Sequence, residues 1–471
     1  MKELRQWLQS PWTWFFITFI LILVLLSLPT PQGLSSEGQK ALVLLVAVVV
    51  LFIAEPISLP GIILFIAIYQ VFMGLGTPNE VARSFMHDAV FFIMGALMIG
   101  VALTRQGIGK RLILFLIDQV GNSTRKISFA IVTTCALLAG FMADHVVAAV
   151  MTPMVLSLIK TTREGGQECV ANLSKLLLFS VAYGSSIGGL YAPSGGGRNI
   201  IMMGLLDQMY GLKINYGEWI ILALPVTLLL IPVTVAILSL VFRPETLDLS
   251  RAMVGLREEL EERELTGEAW VTLFILALTV FLWITIGSSV GLGAIALLGA
   301  TLCLMFGVVD WEDYHTDVNW GVILIYMGAL SLGNLLARTG AAGWIAHSAL
   351  TFLREGLGLD GLLPIAAMSS LLTTAMTNLM SAAGSTSVVG PITLKLSELS
   401  SFDPVTIGLL TAISSAFGYL LLLATPPNAI IYSSGYIRSV DFLKAGIGMT
   451  VTSLLILFSV VLVWWPIFNF I

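Results

Sequence analysis

Nine apolar runs of about membrane-spanning length restrict the fold of this chain more than any other feature of its sequence. A helix needs about 20 residues to cross the hydrocarbon core of a bilayer. Only helices and closed barrels satisfy their backbone hydrogen bonds there. The runs cover residues 13–29, 38–54, 57–75, 89–106, 217–242, 268–288, 290–307, 319–337 and 445–469. The sequence therefore predicts an all-α polytopic membrane protein.

The composition agrees with this prediction and excludes several functions. Hydrophobic residues make up 57% of the chain and charged residues 11%, whereas a soluble protein has about 25% charged residues. The net charge of -5 gives no indication of a nucleic-acid partner, and the three cysteines lack the spacing of metal ligands. The sequence also lacks paired carboxylates and nucleophile motifs, so we expect neither an enzyme nor a resident cofactor.

Basic residues beside the apolar runs predict the orientation in the membrane. They lie near the N-terminus, at residues 105–111 and after residue 242, and an excess of Lys and Arg is typical of cytoplasmic loops. The first apolar run is too long for a signal peptide, and further spans follow it directly. We therefore expect a multi-pass protein of the cytoplasmic (inner) membrane whose N-terminus lies in the cytoplasm.

Two stretches of the chain repeat one another. Met94-Gly95-Ala96-Leu97, followed by Arg105 and Gly107, returns 233 positions later as Met327-Gly328-Ala329-Leu330, followed by Arg338 and Gly340. An internal repeat in a membrane-embedded chain is typical of secondary transporters, in which two related halves enclose a site near the middle of the bilayer. The repeat therefore predicts a duplicated carrier.

A strongly charged segment divides the two halves. Residues 244–268 carry charges at i,i+4 spacing, which suits a solvated linker helix on the cytoplasmic surface. The predicted domain plan has scaffold helices at 1–88 and 269–318, a first repeat at 89–243, the linker helix at 244–268, a second repeat at 319–444 and a C-terminal transmembrane helix at 445–471.

Each half contains an apolar hairpin with a polar tip and then an interrupted helix. The first tip is Ala143-Asp144-His145 and the second begins Ser381-Ala382-Ala383, with a proline ten residues after the first residue of each tip. The interruptions, or breaks, are residues 193–199 and 424–428, where proline and glycine disturb the helical ladder. Unpaired backbone at membrane depth is tolerated where it lines a cavity, and it offers N–H groups to an anion and carbonyls to a cation.

These features resemble the divalent-anion/sodium symporter family, the INDY-like carriers of dicarboxylates, citrate or sulfate, from residue 40 to residue 470. The resemblance implies about eleven transmembrane helices and two re-entrant hairpins in two inverted-topology repeats. It also implies a homodimer, in which a transport domain moves as an elevator against a scaffold domain. The residues that carry it are the two hairpins, Ala424-Thr425-Pro426-Pro427-Asn428-Ala429, and Gly328-Ala329-Leu330 with Arg338-Thr339-Gly340.

The chain departs from the family pattern at three of its four site elements. Family members have Ser-Asn-Thr at each hairpin tip, and neither tip has it here. The first break reads Gly196-Gly197-Arg198-Asn199 in place of Thr-Pro-Pro-Asn. A charge at the middle of a bilayer is disfavoured by at least about 2.5 to 3.5 kcal/mol, so Arg198 and Asp144 are expected to have a function.

Two roles for Arg198 are open at this point. Its guanidinium can bind a substrate carboxylate or sulfonate directly, or it can form an ion pair with Asp144. The resemblance assigns substrate contacts to further residues of the tips and breaks. The predicted substrate-binding residues are Arg198, Gly197, Asn199, His145, Ser381, Ala382, Thr425, Pro426 and Asn428.

The coupling ion is also open between sodium and protons. Asp144 and His145 are typical members of a proton relay in a membrane interior. The resemblance places sodium ligands at Gly195, Thr377, Ser381 and Ala424, of which Thr377 and Ala424 are the candidate metal ligands. We expect no cofactor apart from sodium as one of these two candidate coupling ions, and the expected partners are a small anionic substrate and the lipid bilayer.

The sequence therefore predicts a secondary active transporter of a small anion of the dicarboxylate, sulfate or sulfonate class. Alternatives are a sodium/proton antiporter that uses Asp144 as its carrier acid, an anion exchanger without cation coupling, and an anion-selective channel.

Overall fold

The computed structural model describes residues 11–54, 56–164, 170–246, 248–250 and 266–468, and these residues are mostly helical. Most of the predicted linker helix at 244–268 lies outside the described residues. The described part contains no strand, apart from one isolated bridge between Ser123 and Asp248. The predicted all-α class is confirmed for this part of the chain.

The first half of the chain forms eleven described helices, with a 3-10 turn at Pro193–Gly195. They are α1 (Pro11–Ser27), α2 (Ser36–Ala54), α3 (Leu59–Phe72), α4 (Pro78–Phe85), α5 (Asp88–Arg105), α6 (Ile108–Val120), α7 (Thr124–Ala139), α8 (Asp144–Glu164), α9 (Ala171–Gly188), α10 (Gly197–Tyr210) and α11 (Tyr216–Val241).

The second half also forms eleven described helices, with a 3-10 turn at Leu422–Ala424. They are α12 (Gly267–Thr285), α13 (Gly287–Val290), α14 (Leu292–Met305), α15 (Trp311–Asp317), α16 (Trp320–Arg338), α17 (Ala341–Thr351), α18 (Leu362–Leu379), α19 (Ala382–Leu399), α20 (Pro404–Ser414), α21 (Pro426–Tyr432) and α22 (Ser439–Val463).

The order of elements is similar in the two halves. Helices α3 and α14 each have 14 residues, and the short helices α4 and α15 that follow them both begin with a capping box. A long helix, a hairpin and a helix interrupted by a 3-10 turn then follow in each half. The same local sequence signals therefore produce the same local structures twice.

Eight of the described helices are long and apolar enough to cross a membrane, namely α2, α5, α8, α11, α12, α16, α18 and α22. Shorter apolar helices are α1, α3, α14 and α20. The multi-pass character predicted from the sequence agrees with this finding. The total of about eleven spans remains a prediction, because α8 and α18 belong to the hairpins.

The chain divides into two compact units. The first unit contains the residues up to Val90 with Ile201–Lys213 and Asn319–Ser415, and the second contains Phe91–Ile200, Ile214–Val318 and the residues from Ala416 onward. In the first unit α16 packs against α3 and α19. Its apolar core includes Leu44, Ile63, Leu332, Leu336 and Val389.

Helix α9 is the central element of the second unit. It packs against α7, α8, α11 and α21, and its residues from Leu176 to Gly188 are all buried. Gly184 and Gly188 permit a close approach to α7, since a Cβ on Gly188 would lie 2.4 Å from Ala136 Cα. Small residues at such contacts let helices pack tightly in a membrane, where the hydrophobic effect does not drive their association.

A buried ion pair joins α9 to α22 in the same unit. Lys175 Nζ lies 3.0 Å from Asp441 Oδ2, and the Asp441 side chain is completely buried. Asp441 also accepts a hydrogen bond from the Arg438 backbone N–H at the start of α22. The exposed Arg438 guanidinium lies 4.0 Å from the same carboxylate, so Lys175 is its closer and less exposed cationic partner. Loss of one partner of a buried ion pair destabilises a fold by about 3 to 5 kcal/mol.

We therefore expect Lys175→Met to lower the thermal unfolding midpoint of the detergent-purified protein by several degrees. Lys175→Met combined with Asp441→Asn should recover much of the loss, because the double variant no longer buries an unpaired charge. Equal midpoints for the wild type and Lys175→Met would contradict the stabilising role of this pair.

Candidate functional site

The first break interrupts the chain between α9 and α10 with a short, well-defined backbone path. Ala192 is extended, Pro193–Gly195 form one 3-10 turn, and Gly196 is extended again before α10 begins. Helical hydrogen bonds are lost over this stretch, so its N–H and C=O groups need other partners.

The second break, between α20 and α21, has the same path. Leu421 is extended, Leu422–Ala424 form one 3-10 turn, and Thr425 is extended before α21 begins. The backbone angles of Gly196 and Thr425 are similar, at φ -153, ψ 130 and φ -141, ψ 146. The second break is therefore a structural copy of the first, although their sequences differ.

One asparagine holds each break in shape. Asn199 Nδ2 donates to Gly189 O at 2.8 Å and Ala192 O at 2.9 Å. Asn428 Nδ2 donates to Gly418 O at 3.0 Å and Leu421 O at 3.1 Å. In both cases the acceptors lie ten and seven residues before the asparagine. Both side-chain N–H groups of each asparagine therefore bind backbone carbonyls, so a substrate contact by Asn199 or Asn428 would use the amide oxygen.

The oxygen atoms of the same two side chains remain available. Neither Asn199 Oδ1 nor Asn428 Oδ1 has a hydrogen-bond partner in the described part of the chain, and both side chains are completely buried. An amide whose nitrogen is fixed by two carbonyls presents its oxygen in one orientation. Such an oxygen can accept a hydrogen bond or bind a cation.

The first hairpin tip carries a carboxylate at a helix N-terminus. Asp144 is the first residue of α8, and its Oδ1 accepts a hydrogen bond of 2.7 Å from the His145 backbone N–H. His145 Nδ1 lies 3.5 Å from the same oxygen. The positive end of the helix dipole favours a negative charge at this position.

The tip contacts the first break directly. Ser194 Oγ donates to Gly140 O at 2.7 Å and lies equally close to the Tyr216 hydroxyl. A Cβ on Gly195 would lie 2.3 Å from Ala139 O, so only glycine fits at this crossing. Asp144, His145 and the break that carries Arg198 therefore belong to one local structure.

Arg198 lies in this local structure and forms an ion pair with Asp144. Its side chain is 3% exposed, and Nη1 is 3.6 Å from Asp144 Oδ2. Nη2 donates to Ser186 O at 3.1 Å, while Nε has no hydrogen-bond partner among the described residues. A guanidinium has five N–H donors. The ion pair foreseen in the sequence is present, and donors remain for a further ligand.

Two glycines make room for this guanidinium. A Cβ on Gly189 would lie 2.8 Å from Arg198 Nη2, and a Cβ on Gly196 would lie 3.0 Å from Arg198 Cζ. In the second break the residue that corresponds to Gly196 is Thr425 and the one that corresponds to Arg198 is Pro427. A side chain at position 196 would therefore crowd the guanidinium of Arg198, and glycine at this position leaves room for it.

Sequence reasoning missed Gly189 and Ser186 as neighbours of Arg198. The signal that could have found Gly196 is the paired change from Thr-Pro-Pro to Gly-Gly-Arg. Gly189 and Ser186 gave no comparable signal, because they belong to the preceding helical segment.

The second break also lies in the second unit, where α21 packs against α8 and α9. Ala424 and Thr425 are buried, whereas Pro426 is exposed. Thr425 Oγ1 has no hydrogen-bond partner among the residues described. Buried polar atoms without partners cost about 1 to 3 kcal/mol each. Four such atoms lie in the two breaks, namely Arg198 Nε, Asn199 Oδ1, Thr425 Oγ1 and Asn428 Oδ1.

The second hairpin tip lies in the first unit. Ser381 caps α19 by accepting a hydrogen bond from Gly384 N, and Ala382 begins that helix. The buried Thr377 hydroxyl donates to Thr373 O at 3.0 Å, which leaves its lone pairs free to bind a cation. The described residues contain no group of three or more His, Cys, Asp or Glu side chains that could hold a metal ion. The available oxygens are hydroxyls and carbonyls, which suit a hard monovalent cation.

Comparison with known families identifies the class of the protein. The family model described as the sodium:sulfate symporter transmembrane region matches residues 9–471. The chain belongs to this family. Its relatives are transporters, so the resemblance noted in the sequence and the expectation that the protein is not an enzyme are confirmed.

Two curated relatives cover nearly the whole chain. The sodium-dependent dicarboxylate transporter SdcS of Staphylococcus saprophyticus is 25% identical in an alignment of 470 positions, which covers 94% of this chain and 89% of that protein. SdcS of Staphylococcus aureus is 26% identical in an alignment of 475 positions, which covers 95% of this chain and 90% of that protein.

Two solved structures share the fold at low identity. MtrF of Neisseria gonorrhoeae aligns with a TM-score of 0.56 and 14% identity, over 97% of this chain and 95% of that chain. The YdaH transporter of Alcanivorax borkumensis aligns with a TM-score of 0.53 and 14% identity, over 83% of this chain and 88% of that chain. At this identity the likeness concerns the fold alone.

The packing of Arg198 on Gly196 leads to a test. Gly196→Ala should displace the guanidinium and lower the thermal unfolding midpoint, since overpacking costs about 1 to 3 kcal/mol. In an Arg198→Ala background the same substitution should cost less, although the contact of the new Cβ with Gly189 O at 3.0 Å remains. Gly343→Ala in α17 is the matched control, because a Cβ there meets open space. An equal cost of Gly196→Ala in both backgrounds would contradict the assigned contact.

Proposed function

We propose that this chain is a secondary active transporter that moves a small anion across the cytoplasmic membrane by alternating access, coupled to sodium. One observation carries the proposal. The first break of a sodium:sulfate symporter family member holds a buried arginine with unused donors, next to a carboxylate at a hairpin tip. A buried positive charge with free N–H groups is suited to bind an anion.

A dicarboxylate is the substrate that these groups fit best. Guanidinium binds a carboxylate through two parallel hydrogen bonds, and the SdcS relatives are named as dicarboxylate transporters. Sulfate and sulfonates present similar oxygens and form the next candidates. The proposed contacts in the second unit are Arg198, His145, Thr425, Pro426 and the backbone N–H of Gly197. Ser381 and Ala382, at the second tip in the first unit, remain contacts predicted from the sequence.

The Asp144 pair gives Arg198 two partners in turn. In the absence of substrate, Asp144 compensates the buried guanidinium at 3.6 Å. An entering carboxylate competes for the same N–H groups, so the guanidinium exchanges one anionic partner for another and is never left unpaired. Asn199 and Asn428 keep the two breaks in shape and contribute their Oδ1 atoms.

Sodium is the proposed coupling ion. The relatives are named as sodium-dependent, and the oxygen atoms at Thr377, Ser381, Ala424 and Gly195 are of the kind that sodium prefers. Protons remain the alternative through His145, whose ring lies beside Asp144.

The remaining parts of the proposal concern architecture. They are two inverted-topology repeats, about eleven spans with two re-entrant hairpins, an elevator movement, a homodimer, a cytoplasmic N-terminus and the domain limits given by the sequence. The similar order of helices in both halves supports the repeats. The equal hydrogen-bond offsets of Asn199 and Asn428 support them independently.

Anion exchange without cation coupling is a second candidate function. The Arg198 and Asp144 pair favours it, because a fixed guanidinium supplies a positive charge that a bound cation would otherwise bring. Symport and exchange differ in one respect, namely whether a sodium gradient drives net uptake.

The decisive experiment measures uptake of labelled dicarboxylates, sulfate and sulfonates into proteoliposomes, with sodium and pH gradients imposed separately. Saturable uptake driven by a sodium gradient supports the proposal. Counterflow without sodium supports exchange. Sodium/proton exchange without any anion would overturn the proposal in favour of an antiporter that uses Asp144, and a non-saturable flux would indicate a channel.

The role of Arg198 gives the first prediction on transport. Arg198→Gln should reduce uptake by about a hundredfold or more, because loss of a charge-assisted bidentate contact removes several kcal/mol of binding. Because the variant also leaves Asp144 without its cationic partner, uptake should be compared at equal amounts of folded protein. Arg354→Gln, at an exposed pair with Asp360, is the matched control and should transport normally. Normal uptake by Arg198→Gln would remove the substrate-binding role.

The second prediction concerns sodium. Thr377→Val keeps the shape of the side chain but removes its hydroxyl, so the sodium concentration for half-maximal uptake should rise about tenfold. Thr373→Val, one turn earlier, removes a hydroxyl that donates to Ser369 O and is the control. If both variants shift the sodium dependence equally, Thr377 is not a sodium ligand.

A further inference from the structure

A polar cavity of about 380 Å³ lies within the first unit, at the end of helix α16. Two arginines, Arg83 and Arg338, border it together with the carboxylate of Glu80. Amide and hydroxyl groups complete its walls, among them those of Gln70 and Ser331. None of these residues is assigned to anion or sodium transport above.

The internal repeat provides a comparison for Arg338. Its counterpart 233 positions earlier is Arg105, the last residue of α5, in the second unit. Arg105 Nη2 lies 2.9 Å from Asp313 Oδ1, and its Nε lies 2.8 Å from Asp317 Oδ2. Two carboxylates on α15 therefore neutralise this guanidinium.

Only one of these carboxylates has a counterpart beside Arg338. The spacing of 233 positions pairs Asp313 with Glu80, and each of them is the third residue of a helix that begins with a capping box. It matches Asp317 with Ser84, a hydroxyl in place of a carboxylate. We call Arg338 with Glu80 and Ser84 one copy of this arrangement, and Arg105 with Asp313 and Asp317 the other copy. The copy around Arg338 therefore lacks one negative charge that the copy around Arg105 has.

The same copy also gains a positive charge. Arg83 stands where the other copy has Thr316. The pKa of the Glu80 carboxyl lies below its usual range, first because Thr77 hydrogen-bonds to it and further because Arg338 and Arg83 lie near. Two guanidinium groups and one carboxylate thus border the cavity.

The floor of the cavity is polar where the other copy is apolar. Gln70 and Ser331 are buried, and Gln70 Nε2 donates to Ser331 Oγ at 2.9 Å. Their counterparts are Cys303 and Met98, which are buried in the second unit. Burial of polar groups costs free energy unless they are hydrogen-bonded. Gln70, Ser331 and Ser84 satisfy one another by hydrogen bonds, so this part of the cavity wall is polar where the residues of the second unit that correspond to Gln70 and Ser331 are apolar.

The position of the cavity along the helices identifies the class of ligand. Arg338 is the last residue of α16, a helix long and apolar enough to span a membrane, and α4 connects the apolar helix α3 with α5. The ends of such helices lie at the level of lipid headgroups, whose phosphates are the abundant anions there. Basic pockets at this depth bind phosphate-bearing headgroups.

We propose that this cavity binds a phosphate group, supplied by a lipid headgroup or by free phosphate, with Arg338 and Arg83 as its charged ligands. The bound phosphate takes the place that Asp317 has in the other copy. Ser84, Ser331 and Gln70 lie at the same cavity and provide hydrogen-bonding groups. The site is independent of the proposed transport site, and its test does not require transport.

The test uses the full-length protein in detergent. Inorganic phosphate is titrated against chloride at constant ionic strength while thermal unfolding is measured, and native mass spectrometry records retained phosphatidylglycerol. Phosphate-dependent stabilisation assigns the site to free phosphate, and retained lipid assigns it to a headgroup. Absence of both in the wild type would overturn the proposal.

Ser84→Asp is the sharpest variant, because it restores the carboxylate of the other copy. It should raise the unfolding midpoint without ligand and weaken phosphate or lipid binding by about tenfold or more. Arg83→Gln should also weaken binding and serves if Ser84→Asp does not fold. Arg354→Gln, outside the cavity, should bind normally. Arg198→Gln should also bind phosphate or lipid normally, and this result would show that the ligand is not bound at the proposed transport site. Equal binding by Ser84→Asp, Arg83→Gln and the wild type would overturn the proposal.

Discussion

The structure depends on one constraint, which is that backbone N–H and C=O groups in a membrane-embedded chain must find partners within the protein. Two helices are interrupted, and each interruption is held by the amide nitrogen of one asparagine, Asn199 or Asn428, on two carbonyls. This arrangement uses the amide donors for the fold and leaves the amide oxygens for a ligand. The backbone of each interrupted segment is thereby held in one conformation.

The charge of Arg198 is compatible with burial only because several neighbours changed with it. Asp144 supplies the opposite charge, Ser186 O accepts a hydrogen bond, and Gly189 and Gly196 leave the space that the guanidinium fills. The second break keeps Thr425 and Pro427 at the matching positions and has no such charge. The first break therefore holds a buried positive charge, whereas the second break has only neutral groups at the matching positions.

Comparison of the two copies also separates what the fold needs from what a ligand needs. Both copies have an arginine at the end of a long helix and a capped short helix beside it. One copy completes this arrangement with Asp313 and Asp317, whereas the other has Glu80, Ser84 and an open polar cavity. Packing alone does not account for this difference, because the positions of Gln70 and Ser331 are occupied by the buried residues Cys303 and Met98 in the other copy.

The sequence by itself determined the all-α membrane class and the family, and it located the two breaks, because apolar run length, proline and glycine act locally. It also named Asp144 as one of two partners of Arg198. Only the tertiary structure decided that this ion pair forms, that Asn199 and Asn428 spend their donors on backbone carbonyls, and that Gly189 and Ser186 surround the guanidinium. The physical reason is that such contacts depend on distances between residues far apart in the chain, which local patterns do not encode.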